Sequence, residues 1–265
     1  MSGLQPGHSF VICAYKESPY LEECVLSVLR QTVKSTVLIA TSTDNHHIRS
    51  IAGKYGIEVR FSGKKSDIAG DWNYAYNQAE TEYVTIAHQD DLYEPKYAET
   101  VIKMMEKREK PLLFFSDYYE IRDGEKVYRN VNLIIKKILL SPMRISLMSG
   151  MKTAKKAVLS IGNPICCPSV SYARENLPYA MFTVGMGSNI DWKAWLIAAK
   201  MKGDFVYAHR PLVGHRIHNQ STTTQLIEAA ARTQEDVEML RQFWPEPVAR
   251  IINRVYRNAE RSNEV

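Results

Sequence analysis

The densest chemistry in the sequence is four consecutive residues, His88-Gln89-Asp90-Asp91. They follow directly on an apolar run, Tyr83-Val-Thr-Ile-Ala87, and precede Pro95. Neighbouring carboxylates repel, and on a regular strand they point to opposite faces. Where a strand ends and the chain turns, both can converge on one divalent cation. Mg²⁺ and Mn²⁺ favour oxygen ligands and are commonly held by one or two carboxylates together with substrate phosphates. The quartet therefore reads as a metal–diphosphate site, with a solvated acidic turn as the bland alternative.

The elements that must position it are legible as alternating apolar and amphipathic runs. Ser9–Ala14, Thr36–Ala40, Ile57–Phe61, Tyr83–Ala87 and Leu112–Phe115 read as short buried strands. Helical spacing follows the first, with Leu21, Cys24, Val25, Val28 and Leu29 on one face after Pro19. Asp44 is placed to cap a second helix running to about Tyr55, where Gly56 stops it. Two more helices are expected at Trp72–Ala79 and at about Pro95–Lys107. This alternation predicts a doubly wound α/β sheet, whose ligands bind beyond the carboxyl ends of the strands. After it, Val131–Ile161 reads as two short amphipathic helices rich in Lys, Leu, Ile and Met. A helix at Asp191–Met201, a strand at Phe205–Ala208 and helices at Gln225–Phe243 and Val248–Arg261 complete the chain.

Composition bounds the function. The 265 residues carry 34 Lys and Arg against 29 Asp and Glu, a formal charge of +5. So mild an excess suits a phosphate-bearing ligand and argues against a dedicated nucleic-acid partner. Cys13, Cys24, Cys166 and Cys167 show no zinc spacing, so a reduced cytosolic compartment is expected. The polar start, Met1 to His8, gives no secretory signal, and no apolar run is long enough to span a bilayer. The expected location is cytoplasmic, or peripheral on the inner face of the membrane. The C-terminal pattern sets Val248, Ile251, Ile252 and Val255 on one face and Arg250, Arg254, Arg257 and Arg261 on another. Such a helix either packs on its own domain or lies on an anionic membrane. The lysines Lys136, Lys137, Lys152, Lys155 and Lys156 pose the same choice, and their place also suits an acceptor-site lid.

Three segments in order carry a family resemblance. Ser9–Thr32, "SFVICAYKESPYLEECVLSVLRQT", resembles the start of family-2 glycosyltransferases. Asn73–Pro95, "NYAYNQAETEYVTIAHQDDLYEP", is similar to that family's Asn-x-Gly…Ala-x-Gly-Glu-Tyr stretch with Asp-x-Asp-Asp and Pro. Ser188–Thr224 resembles its Glu-Asp helix, Pro-Leu strand and Arg-x-His segment. The resemblance implies a GT-A type, Rossmann-like mixed sheet over residues 1–224, with a helical extension at 225–265. The donor half would be about 1–120 and the acceptor half about 121–224.

It implies an inverting transfer, with Mn²⁺ or Mg²⁺ as cofactor, from a nucleotide-sugar donor to a hydroxyl of a glycan or lipid-linked acceptor. UDP is the first choice of nucleotide and cell-surface polysaccharide synthesis the setting. Asp91 falls at the metal, and Asp90 at the metal or the ribose. Arg216 falls on the diphosphate and His218 on the metal or phosphate. On an extended segment these two share one face and His215 takes the other, where a structural role is expected. Ala14, Tyr15 and Glu17 match the base and ribose region, and Thr41 lies in the following donor turn. Asp191 matches the acid that would accept the acceptor's proton. Ser188-x-x-Asp191 is equally acceptable as a helix capping box.

The sequence departs from the family twice. Ala40-Thr-Ser-Thr-Asp44 lacks the usual carboxylate after the second strand, and Asp71-Trp72 stands where Ala-Arg is common. Asp71 is the candidate to replace the missing polar contact. Two other readings compete: a catalytically silent GT-A domain used as a scaffold, and a nucleotidyltransferase. The latter calls for a Gly-rich basic turn where Ala14-Tyr-Lys-Glu17 stands, as a nicotinamide dehydrogenase calls for a Gly-rich one.

Overall fold

A computed structural model describes residues 4–218 and 230–261, with side chains described except at 230–233 and 256–261. Four parallel strands form one half of a mixed sheet: β1 (Gln5–Ala14), β2 (Thr36–Thr41), β3 (Glu58–Phe61) and β4 (Thr81–His88). The sheet continues through β8 (Ser171–Ala173), β6 (Pro111–Arg122), β9 (Asp204–Ile217) and β5 (Leu92–Tyr93), in the order β3-β2-β1-β4-β8-β6-β9-β5. A short β7 (Glu125–Val127) pairs with the far end of β6.

Period-two alternation sends the side chains of β1 to both faces. Phe10, Ile12 and Ala14 pack with α1 (Leu21–Leu29), α2 (His46–Tyr55) and α4 (Tyr97–Met105). Val11 faces α3 (Ile68–Gln78) and α8 (Ile190–Ala199). Helices thus cover both sides of the sheet, as the alternation predicts.

Local chemistry sets the helix ends. Gly56 closes α2 in the left-handed region, φ 64°, which Cβ-bearing residues avoid. The cap of α2 is Asn45, whose side chain accepts from the Ile48 N–H. The expected cap, Asp44, pairs instead with Arg49.

Two strands are much longer than their apolar runs. β6 extends past Phe115 through Ser-Asp-Tyr-Tyr-Glu to Arg122 because β9 pairs along its length and β7 pairs with its far end. β9 runs on past Ala208, through irregular pairing near Asp117, to Ile217. Tertiary pairing supplies hydrogen bonds that these polar stretches do not advertise.

Val131–Ile161 holds three helices rather than two: α5 (Val131–Leu140), α6 (Ser146–Gly150) and α7 (Lys152–Val158). Pro142 ends the first in a 3₁₀ turn, and extended Met151 separates the others. One member of the expected lysine cluster is not a surface group. Lys155 is buried, and its ammonium donates to the Met201 carbonyl at 2.9 Å and the Gly203 carbonyl at 2.6 Å. Burial pulls this amine down to about 8. Lys155→Ala strands both carbonyls and opens a void, so urea unfolding should show a loss of about 2–4 kcal/mol. A loss below ~1 kcal/mol would mean that water replaces the ammonium.

The chain ends in α9 (Ala230–Leu240) and α10 (Glu246–Arg261). The expected start at Gln225 lies outside the described residues. Met239, Leu240 and Ala249 join the core shared with α8, so these helices pack on the sheet domain. On α10 Ala249 and Asn253 are buried and Ile252 half-buried, while Val248, Ile251 and Val255 are exposed. Arg250 pairs with Glu246, and the Arg257 and Arg261 side chains lie outside the described ones. Among the described residues no helix is long and apolar enough to cross a membrane.

Candidate functional site

β4 ends at His88, the chain turns through Asp90 and Asp91, and β5 then pairs antiparallel with β9, Leu92 opposite Gly214. This pairing brings His215, Arg216 and His218 onto the acidic turn. Gly214 is required there. A Cβ at that position would lie 2.7 Å from the Tyr119 ring, whose hydroxyl donates to Glu94 at 2.8 Å.

Asp91 is fully buried. Its Oδ1 accepts from the Arg216 backbone N–H at 2.8 Å and lies 3.0 Å from His215 Nδ1. Its Oδ2 has no hydrogen-bond partner, nor has the buried His88 Nε2. A partnerless buried carboxylate oxygen is costly unless something cationic meets it. Donor atoms of His88, Asp90 and Asp91 lie within 4.8 Å of one another, a spacing that one ion can bridge. His88 Nδ1 is 3.8 Å from Asp91 Oδ2, and Trp72 stacks on the His88 ring at 5.1 Å. The residues present therefore fit a divalent cation.

The expected ligand His218 is not in that cluster. Its Nε2 lies 3.0 Å from Asp90 Oδ2, where it can hold the carboxylate. Burial alone would raise Asp90, but this hydrogen bond and the nearby His88 and His215 outweigh it and hold the carboxyl below its ordinary value. Burial alone would lower His215, and Asp91 outweighs it to hold the imidazole above its ordinary value. His215 thus shares the site with its neighbours rather than facing away. Arg216 donates through Nε to the Asp90 carbonyl at 3.0 Å and through Nη2 to Glu23 at 2.6 Å, with its guanidinium 4.2 Å from the Tyr20 ring centroid.

The residues expected on the donor side gather at the ends of β1 and β2. Ala14 is buried, Glu17 is exposed, and Tyr15 stands out at the rim. Gln89 clamps the Tyr15 backbone, taking its N–H at 3.0 Å and donating to its carbonyl at 3.1 Å. Lys16, at φ 55°, donates its N–H to Thr43. Thr41 Oγ1 folds that turn by accepting the Thr43 N–H at 3.0 Å. Asp71 Oδ2 accepts from Ser42 at 2.8 Å, so Asp71 reaches the turn that lacks the family's carboxylate. Its Oδ1 is buried without a partner, and burial raises its carboxyl.

Asp191 sits in the first turn of α8. Its Oδ1 accepts the Trp192 N–H at 2.8 Å and its Oδ2 accepts from Asn163 at 2.7 Å. The capping box does not form: Asn189 holds the cap position at φ 40°, and Ser188 bonds to Glu235 of α9. Glu235 also takes the N–H groups of Gly187 and Ser188, and Asn73 of α3 clamps Phe182 through both its amide atoms. The turn carrying Asp191 is thereby pinned from two sides. Burial pushes the Asp191 carboxyl up. Burial also raises the Cys167 thiol, with Asp191 and Asp91 both adding to it.

The sequence placed His88 in the acidic quartet without a ligand role of its own, and it gave no role to Glu23, Asn163 or Glu235. His88 had a signal, since it abuts the two acids. The others depend on contacts across 28 to 193 positions and had none.

The family model for glycosyl transferase family 2 matches residues 9–176. The chain belongs to glycosyl transferase family 2. A glycosyltransferase of Rickettsia conorii is 28% identical over 119 residues, which is 43% of this chain and 20% of the relative. One from Rickettsia typhi is 22% identical over 221 residues, 83% of this chain and 66% of the relative. The match to the first of these relatives thus spans about a fifth of its length. Among solved structures, S. aureus TarS 1-349 in complex with UDP-GlcNAc superposes with a TM-score of 0.60 at 13% identity, covering 93% of this chain and 70% of TarS. The mannosyltransferase PcManGT from Pyrobaculum calidifontis, in complex with GDP-Man and Mn²⁺, gives 0.62 at 13%, covering 98% and 76%. The fold of this family-2 chain is therefore GT-A.

Proposed function

We propose that this glycosyltransferase moves a sugar, with inversion, from a nucleoside-diphosphate sugar to a hydroxyl of a glycan or lipid-linked saccharide. The observation that carries the reading is the Asp91 Oδ2, buried without a hydrogen-bond partner beside His88 and Asp90. His88, Asp90 and Asp91 would hold the cation, with His215 and His218 as positioning residues. An imidazole among the donors favours Mn²⁺ over Mg²⁺, which prefers all-oxygen ligands. When bound, the cation stabilises the charge that develops on the departing diphosphate.

The protein's own groups do the rest. Tyr15 at the rim and the Ser42–Asp71 pair bound the place for the nucleoside. Arg216, held over Tyr20, adds positive charge beside the turn. Asp191 accepts the proton of the acceptor hydroxyl as that oxygen attacks the anomeric carbon opposite the leaving group. Residues up to about 120 form the donor half and 121–224 the acceptor half. The extension shapes the acceptor side through Glu235.

TarS with UDP-GlcNAc and PcManGT with GDP-Man support a nucleotide-sugar donor, and UDP is our first choice. Thermal unfolding against UDP, GDP, CDP, ADP and dTDP, each with and without Mn²⁺, tests this. The matching nucleotide at about a hundredfold its Kd adds ~2.7 kcal/mol, or roughly 5–10 °C, and only with Mn²⁺. No shift with any nucleotide would instead favour a silent scaffold.

A further inference from the structure

From Lys126 to Arg174 the chain has nine Lys or Arg residues and no Asp or Glu, although acids make up 29 of its 265 residues. The same stretch leaves nine large apolar side chains exposed. On α5, Leu133 and Leu140 face the core, while Val131, Ile134, Ile135 and Ile138 form an i, i+3, i+4, i+7 stripe on the opposite side, open to solvent. Ile145, Leu147 (79% exposed) and Met151 continue the apolar exposure across α6 to the start of α7. A helix apolar on both faces is ordinarily buried. Nor is the segment loosely attached. Asn130 caps α5, Ser149 bonds to Asp204, and Lys155 anchors α7 from within.

We infer that the outer face of α5–α7 is a docking surface for an anionic lipid bilayer, with its isoleucines and leucine seated among the acyl chains. Charge selects this occupant. Arg129, Arg144 and Lys152 are exposed around the face, as phosphate headgroups require. A second copy meeting the same face would bring cations against cations with no carboxylate in the segment to neutralise them. The aliphatic stripe offers no stacking platform for nucleic-acid bases.

On the inner side, a shallow cleft between β6 and α5 is lined by Asp117, Tyr118, Lys136, Lys137 and Pro164. Pro164 adjoins Asn163, the partner of Asp191, and the charge of Lys136 reaches Asp191. Bilayer and candidate base thus flank one helix. On the reading given under Proposed function, this favours a lipid-linked acceptor over a free glycan.

Flotation of the 265-residue chain tests the surface without donor or acceptor. Vesicles of phosphatidylcholine with about 30 mol % phosphatidylglycerol should carry the protein, and phosphatidylcholine alone should not. Ile134→Ser with Ile138→Ser, and independently Leu147→Ser, should each weaken binding by roughly tenfold or more, as should molar salt. Ile251→Ser with Val255→Ser on α10 should leave it unchanged. The proposal is overturned by no flotation, by flotation indifferent to the α5 and α6 changes, by its loss with the α10 pair, or by a vesicle-free dimer that those α5 changes dissolve. Because no nucleotide is present, none of these outcomes depends on the donor reading.

Discussion

Asp191→Asn should slow sugar transfer by about 10²–10⁴-fold, the range of a general base, and leave nucleotide-dependent thermal stabilisation intact. The variant folds because its oxygen still accepts the Trp192 N–H, which is all that α8 asks of the side chain. Its new amide meets Asn163, whose own Oδ1 has no partner and can turn to accept. What is lost is an acceptor for the hydroxyl proton. Burial raises the native carboxyl, so kcat/KM for wild type falls as pH drops through a midpoint above the ordinary carboxylate value. The base must be ionised, which places the loss on the acid side. Wild-type transfer by the folded variant, or no acid limb above the ordinary carboxylate range, would reduce Asp191 to an acid held for the Trp192 N–H and Asn163.

How much of this was legible follows from where each interaction closes. The parallel half of the sheet was readable because β1, β2 and β4 are buried on both faces and so are continuously apolar. β6 and β9 were half readable. Their first turns of sequence are apolar, but Asp117, Glu120 and His215 are carried into strands by pairing with each other's backbone. The acidic turn was visible as neighbours in sequence, and so was Arg-x-His. Their meeting was not, because it requires β5 to pair with β9 across more than a hundred positions. His215 illustrates the limit. Alternation put it on the face away from Arg216, yet the Arg216 side chain turns back to Asp90 while His215 reaches Asp91. Asp44 and Asn45 show a smaller one, since either can cap a helix and only the backbone decides which does.

Asp91→Asn separates a carboxylate kept for an ion from one kept for the fold. Its Oδ1 serves the protein by accepting from the Arg216 N–H and meeting His215, and an asparagine oxygen can do both. Its Oδ2 is buried with no hydrogen-bond partner and only His88 Nδ1 at 3.8 Å for a charge contact, so the native acid is poorly compensated in the metal-free protein. The variant should therefore melt at the same temperature as wild type, or higher, without metal. It should lose the Mn²⁺-dependent part of nucleotide stabilisation, with Mn²⁺ affinity down by at least about 10–100-fold, the loss that even outer partners of a metal ligand produce. Transfer should fall with it, since the amide presents N–H groups where the cation needs an anion. Unchanged Mn²⁺ affinity by calorimetry would remove Asp91 from the ligands and leave His88 with Asp90. An acid held only for its hydrogen bonds would give the opposite pair of results: lower stability without metal, and no change in the response to it.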